Sequence, residues 1–366
     1  MNTRWLTLVA VVLSVVGLVI PCHQSAAAEG ASGFDVAAHL LPPARQQRTF
    51  RSVALRGSWA YVLDRTGCLY VFQLPTEGSD KEVRPTSTIN DAGDGNDLKV
   101  LGDVLLCTWN GGLVVYSVKR PGEPKLLGRV DAGKRYHSQT IVLRDKLGYL
   151  LGNNALLSYD ISEPAKPKFV SAMETHRYGW SGCSAGNFLY VGEIKLDARG
   201  RQGICVYDVS TAARPREVTF VPTWLAPYHL YAVSGDRLFA CLDSDSLYHS
   251  VSSDSITVPG NSALFSLKRA AQPVLQKKFS KSGGRSAAIL STGVKTYLVC
   301  EGVVFSIEKT DLKRCFSFAT AGLTHDSLPY AGSTLDGAPY HGTSDGRYAG
   351  IALDNLVIIL RLSGKN

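Results

Sequence analysis

Apolar runs of about half a dozen residues recur along the chain, each closed by glycine or by a charged turn. The clearest stands in residues 111–128, GGLVVYSVKRPGEPKLLG. Residues 113–118 form a hydrophobic strand that follows glycine. Residues 119–124 form a turn rich in charge, Gly and Pro, and residues 125–130 lead away as a second short strand. The pattern predicts a two-stranded meander. It returns as LSYDISEPAKPKFV at 157–170, ICVYDVSTAARPREV at 204–218 and LFSLKRAAQPVL at 264–275, with weaker copies at 69–85 and 303–316. Recurrence at a spacing of roughly 40 residues points to a repeat architecture.

Adding the apolar runs that precede each meander gives units of four short strands. Unit 1 covers 51–89, unit 2 covers 96–130, unit 3 covers 137–172, unit 4 covers 179–221, unit 5 covers 228–279 and unit 6 covers 284–318. Within unit 4, residues 182–185 are poor strand material. The last unit supplies only three strands, at 341–344, 347–352 and 355–362. Residues 45–50 are the expected donor of its fourth strand, which would close a ring and leave no open sheet edge. The expectation is an all-β chain, a seven-bladed β-propeller closed by an N-terminal strand that completes the last blade.

The repeats GLVVYSVKRPGEPKLLG, LLSYDISEPAKPKFVS and ICVYDVSTAARPREVTF resemble the LVIVD-repeat propellers of exported bacterial proteins. The resemblance covers residues 51–362, and it implies a β-propeller outside the cytoplasm. In the repeat, Asp160 and Asp208 follow a tyrosine and precede Ile/Val-Ser, where an aspartate accepts backbone hydrogen bonds of the turn. Pro164, Pro167 and Pro215 fix the chain direction after it. Ser117 and Ser266 hold the Asp position in units 2 and 5, so those turns are expected to be held less firmly.

Composition agrees with many turns, at 35 Gly in 366 residues. The chain opens with Arg4, a near-continuous apolar run at 6–20 and small residues at 25–28, which reads as a cleavable export signal. The expected division is signal peptide 1–28, flexible lead-in 29–43, propeller 44–362 and C-terminal tail 363–366. Cys22 follows Pro21 where a lipoprotein box would want a small residue. No later apolar run is long enough to span a bilayer, so no stable membrane insertion is expected. The formal net charge is +8, but the cations are spread over many turns with no basic arm or helix, which argues against nucleic acid. Cys107, Cys205, Cys241 and Cys300 sit inside apolar strands and read as small core residues; a Cys300–Cys315 disulfide is an alternative that export permits.

Propeller geometry places the first strand of each unit at the channel, with the links between units and the loops after second strands on one face. Insertions at 193–202, 243–262 and 319–340 all fall there. The channel-mouth candidates are Arg51, Asn96, His137, Gln139, Trp180, Tyr228, His229, Arg285, Tyr340 and His341. The arginines suit a carboxylate or phosphate, and Trp180, Tyr228 and Tyr340 suit stacking on a sugar or flat ring. The expected partner is a protein, a glycan or a small anionic ligand, without a cofactor.

The alternative is a divalent metal. His137, His229 and His341, with His325, would suit Zn²⁺ if they converged, and residues 91–97, DAGDGND, faintly resemble a Ca²⁺ loop without the terminal Glu of an EF-hand. A metal there would support a hydrolase or lactonase. No GxSxG, HExxH, Walker loop or CxxCH is present, and Asp97, Asp243 and Asp326 are the nearest acids to the expected rim.

Overall fold

A computed structural model of the chain describes residues 34–43, 50–76, 81–93, 96–109, 111–133, 136–194, 202–233, 236–243, 261–279, 286–291, 295–300, 303–308, 311–317, 341–345, 347–352 and 356–362. The expected signal peptide, the inserted segments at 195–201, 244–260 and 318–340 and the tail lie outside the described residues.

All described elements are strands. β1 (Phe34–Leu40) comes first. Unit 1 holds β2 (Phe50–Arg56), β3 (Trp59–Asp64), β4 (Leu69–Gln73), β5 (Lys81–Val83) and β6 (Ser87–Ile89). Unit 2 holds β7 (Leu98–Leu101), β8 (Val104–Trp109), β9 (Gly112–Ser117) and β10 (Lys125–Asp131). Units 3 and 4 share β11 (Ser138–Arg144), β12 (Leu147–Asp160), β13 (Lys168–Ala185), β14 (Phe188–Ile194), β15 (Gln202–Asp208) and β16 (Arg216–Pro222). Unit 5 holds β17 (Ala226–Val233), β18 (Arg237–Asp243), β19 (Asn261–Ser266) and β20 (Val274–Phe279). Unit 6 holds β21 (Ser286–Ser291), β22 (Thr296–Cys300), β23 (Val303–Glu308) and β24 (Asp311–Ser317). The last unit holds β25 (His341–Ser344), β26 (Tyr348–Ala352) and β27 (Val357–Leu362).

The strands of units 1, 2, 5 and 6 pair antiparallel in sequence order as four-stranded sheets, with β6 beside β4 in unit 1. Units 3 and 4 form one six-stranded sheet because β13, 18 residues long, is the last strand of one and the first of the next. The expected gap between second and third strands of unit 3 is also bridged. Asn154 adopts φ 56°, and the register shifts between Asn153 and Ala155, so β12 bends without leaving the ladder. Gly182 lies within β13 despite its weak strand propensity. A Cβ there would stand 2.4 Å from Leu151 Cδ1, so glycine allows two units to approach closely.

The strand beside β27 differs from the sequence expectation. β1, inside the supposed flexible lead-in 29–43, pairs antiparallel with β27, with Phe34 opposite Leu362 and Leu40 opposite Val357. Residues 44–49 lie outside the described residues, and Phe50 belongs to β2. The physical reason is burial: every residue of β1 but Asp35 is buried, with Phe34 and Val36 packing toward unit 6 and, past a register shift, Ala38 and Leu40 toward unit 1. β5 then adds parallel to the outer edge of β1.

Successive side chains point to opposite faces, and here both faces are buried. Tyr61, Leu63 and Val71 pack with Leu105, Cys107 and Val114 of unit 2, whereas Val62, Tyr70 and Phe72 pack with Tyr348, Val357 and Ile359 of the last unit. Further clusters join units 2 and 3, 3 and 4, 4 and 5, 5 and 6, and 6 and the last unit with Phe34 and Val36. Buried tyrosines bridge the seams: Tyr61 Oη donates to Pro121 O at 3.1 Å, Tyr190 Oη to Ala270 O at 2.9 Å and Tyr348 Oη to Pro75 O at 3.4 Å.

The repeat turns behave as their residues predict. Asp160 Oδ1 accepts the Ser162 amide at 2.8 Å and Asp208 Oδ1 that of Ser210 at 2.9 Å. Ser117 and Ser266 hold the same turns at 3.5 and 3.3 Å. Cys107, Cys205 and Cys241 are fully buried. The Cys315 thiol donates to Val304 O at 3.2 Å, and the Cys300 side chain lies outside the described residues.

Candidate functional site

Five of the first strands carry a β-bulge near their start, whereas β7 and β25 pair without one. The pairing skips one residue in β2, β11, β13, β17 and β21, and the skipped residues are Arg51, Gln139, Trp180, Tyr228 and Ala287. A bulge bends its strand and re-aims the extra side chain. Four of the five were expected at the channel mouth from the repeat register alone. In unit 6 the position belongs to Ala287, two residues beyond Arg285. Asn96 precedes β7, where its Nδ2 donates to Ser138 O at 2.9 Å. His341 opens β25 opposite Ala352. Arg285 and Tyr340 lie outside the described residues.

The bulges of neighbouring strands bring Trp180 and Tyr228 together, with ring centroids 5.4 Å apart and planes at 49°. Tyr178 also packs on Trp180, with centroids 5.0 Å apart and planes at 51°. All three rings are half-buried. Sequence reading missed Tyr178, although its place two residues before Trp180 on an extended strand was a usable signal. His137 is exposed, and its carbonyl accepts the Asn153 amide at 2.9 Å. His229 follows Tyr228 and is half-buried. Among the described residues no three His, Cys, Asp or Glu side chains come together as a metal site.

One layer below the bulges lies Asp97, 2% exposed. Its Oδ1 accepts from Ser52 Oγ at 2.9 Å and the Leu98 amide at 2.8 Å. Its Oδ2 accepts from Thr140 Oγ1 and the Ile141 amide, both at 2.9 Å. One carboxylate thus ties the inner strands of units 1, 2 and 3. Asp91, at the other end of the 91–97 run, pairs with Arg129 at 2.9 Å. Both end carboxylates of the supposed calcium loop are therefore committed to separate protein partners, and Asp97 is no rim acid open to a substrate.

A second buried carboxylate sits in the seam between units 3 and 4. Glu193, at the end of β14, is 1% exposed. It accepts hydrogen bonds from Tyr207 Oη and Arg177 Nε, and Arg177 also pairs with Glu217. The guanidinium lies over the Phe220 ring at 4.9 Å, and its Nη2 is 3.4 Å from Cys205 Sγ. Burial pushes the Glu193 carboxyl above the usual carboxylate range, against the pull of Tyr207 and Arg177. Burial works against the Arg177 charge, but Glu193 and Glu217 hold its pKa above the ordinary value. Burial also raises the Cys205 thiol and the Tyr207 phenol, so neither offers an ionised nucleophile. Sequence reading did not find this cluster.

At the opposite end of the inner strands, Arg56 binds Val118 O and Asp103, and Arg144 binds Val209 O at 3.1 Å and Asn187 Oδ1 at 2.7 Å. Leu101 occupies the equivalent place in unit 2. A shallow cavity of about 570 Å³ opens there between Leu101 and the turn residues Glu163, Pro164 and Lys166. It is the gap left where an arginine staple is missing.

No family model matches the chain, and no curated protein matches it. Solved structures do. The Neurospora crassa Pan2 WD40 domain is similar over 92% of this chain and 98% of its own, at 11% identity and a TM-score of 0.64. The WD40 β-propeller domain of Doa1 is similar over 90% and 97%, at 13% identity and 0.59. The N-terminal domain of Nup159 is similar over 91% and 96%, at 11% identity and 0.54. At these identities the likeness establishes the fold, a β-propeller.

Proposed function

We propose that this protein is an exported, seven-bladed β-propeller of the LVIVD-repeat kind that acts as a non-catalytic binding module, with a protein ligand seated at the mouth of its channel. Support for the ring comes from the seams. Each unit shares a core cluster with the next, and the last shares one with the first. β1 serves as the outer strand of the last blade, with the same bulge that β10, β16, β20 and β24 carry. Propellers commonly serve as platforms for protein partners, and binding residues concentrate where a rigid scaffold presents them.

The observation that carries the reading is the Tyr178–Trp180–Tyr228 group. Half-buried Trp and Tyr rings lose little entropy on binding and dominate protein interfaces. Asp97 and Glu193, buried acids of neighbouring strands, are occupied by internal partners, which favours binding over acid–base chemistry.

The test uses a photo-crosslinking residue placed at Gln139 and, as a control, at exposed Gln73, in cells making the full chain. A discrete protein adduct is expected from Gln139 alone, and it should fall at least tenfold when Trp180→Ala and Tyr228→Ala are combined. Equal adducts from both positions, or an adduct unchanged in the double variant, would sink the reading. In the same cells, removing residues 1–28 should hold the chain in the cytoplasm; export without them would defeat the leader assignment.

A further inference from the structure

We propose that the outer edge of β20 is a second docking site, which takes an extended acidic polypeptide segment as an added strand. The chain already contains a precedent. β5 adds parallel to β1, with Lys81, Glu82 and Val83 opposite Ala38, His39 and Leu40, and the Leu41 amide donates to Val83 O at 3.1 Å. This contact begins immediately beyond the β1 bulge, which lies between Val36 and Ala38. In this fold the outer strand past its bulge is thus flat enough to accept another strand.

β20 repeats that geometry. It ends the sheet β17-β18-β19-β20. Its register shifts opposite Leu264 and Phe265, so Gln276 is bulged and residues 277–279 occupy the place that residues 38–40 hold in β1. A strand edge of this kind presents backbone donors and acceptors that another chain can pair.

Side chains single out β20 among the outer strands. The large hydrophobics exposed among the described residues are Leu126, Leu127, Phe169, Val218, Val274 and Leu275, all near the starts of outer strands. Val274 is the most open of them, at 58%. Residues 261–279 contain Lys268, Arg269, Lys277 and Lys278 and no acid. Lys277 lies 5.3 Å over Phe279, in the seam with unit 6, and Lys278 lies 4.1 Å over Trp224, in the seam with unit 4. The edge therefore carries a cation on each face. The turns leading to β13 and β16 set Asp160, Glu163 and Asp208 among their cations, and Arg129 of β10 is committed to Asp91 and Trp109. An added strand alternating carboxylates with small apolar residues would set its carboxylates along one face, beside Lys277 or Lys278, while its backbone pairs the edge. A second copy of this chain, with its own +8 charge, is a poorer match.

The probe is a fluorescent decapeptide alternating Glu and Val, titrated into the full chain. The comparisons are the same peptide with Pro at two central positions, which removes backbone donors, and a Lys/Val peptide. Binding of the Glu/Val peptide should come with slowed amide exchange at residues 277–279. It should weaken at least tenfold with the Pro peptide, and again with Lys277→Glu combined with Lys278→Glu. Should that variant fold poorly, Val274→Thr with Leu275→Thr is expected to weaken binding about fivefold. Equal affinity for the Pro peptide would mean charge adsorption alone and overturn the proposal. So would protection confined to other strands. Binding to phosphatidylglycerol vesicles, or self-association through β20, without peptide binding would also overturn it. Trp180→Ala should leave peptide binding unchanged, which separates this site from the channel mouth.

Discussion

Asp97 and Glu193 are both carboxylates buried at seams between repeat units, yet the protein holds them by different means. Asp97 is met chiefly by neutral donors, two hydroxyls and two amides, from three successive inner strands. Lys99, 30% exposed and 3.4 Å away, adds a weaker contact from the edge. Glu193 instead faces a guanidinium that a second carboxylate shares. A charge dispersed over several fixed dipoles needs no single partner. A charge balanced by one opposite charge depends on that partner entirely. The first arrangement spreads one charge over the inner strands of three units. The second concentrates the stability of one seam in Arg177.

The contrast is tested hardest at Arg177. Arg177→Met leaves Glu193 buried with only Tyr207, and it should cost about 3–5 kcal/mol, read as the shift in urea midpoint. Glu193→Gln should cost less, because Arg177 keeps Glu217. The two states of Glu193 also predict a pH dependence. Its folded pKa lies above the ordinary 4.5, so between that value and the folded pKa the native state binds more protons than the unfolded chain. Wild-type stability relative to Glu193→Gln should therefore fall as pH rises from about 4.5 through the folded value. A difference that rises instead would mean that the Arg177 attraction outweighs burial. Asp97→Asn comes next, at about 2 kcal/mol, because an amide sets an N–H₂ against one of the donors that the carboxylate accepts. A loss as large as that of Arg177→Met would erase the distinction between the two sites.

The two sites also differ in how far the sequence disclosed them. The repeat register placed Arg51, Gln139, Trp180 and Tyr228 at equivalent positions, because each follows from counting within a unit. Asp97 was visible as an acid near the rim, but its partners Ser52 and Thr140 lie about 45 residues away on either side. They become legible only when the small polar residue after each bulge is compared across units. The Glu193–Arg177 cluster had a weaker signal, a lone acid closing the apolar run FLYVG. Its pairing depends on β13 continuing from one unit into the next, and local pattern predicted a break there. β1 was missed for another reason: its Ala-rich composition hid an almost wholly buried strand, and the register shift between Val36 and Ala38 breaks any period of two.

Exposed turns extend the comparison to a third setting. Asp160 and Asp208 accept backbone amides in the open, and those hydrogen bonds are the first cause of pKa values held below the usual carboxylate range. Ser117 and Ser266 occupy the same place with longer contacts. If a carboxylate is the better acceptor wherever it meets fixed amides, Ser117→Asp and Ser266→Asp should each stabilise the fold by about 0.5 kcal/mol, the scale of common surface gains. The gain should appear near neutral pH as a higher melting temperature and vanish as pH falls through the lowered pKa, since a protonated carboxyl accepts no better than a hydroxyl. Lys119 and Lys268, two residues further along, add attraction that salt would screen. A gain that disappears in high salt at pH 7 would therefore trace to those lysines, and one that persists would trace to the turn amide.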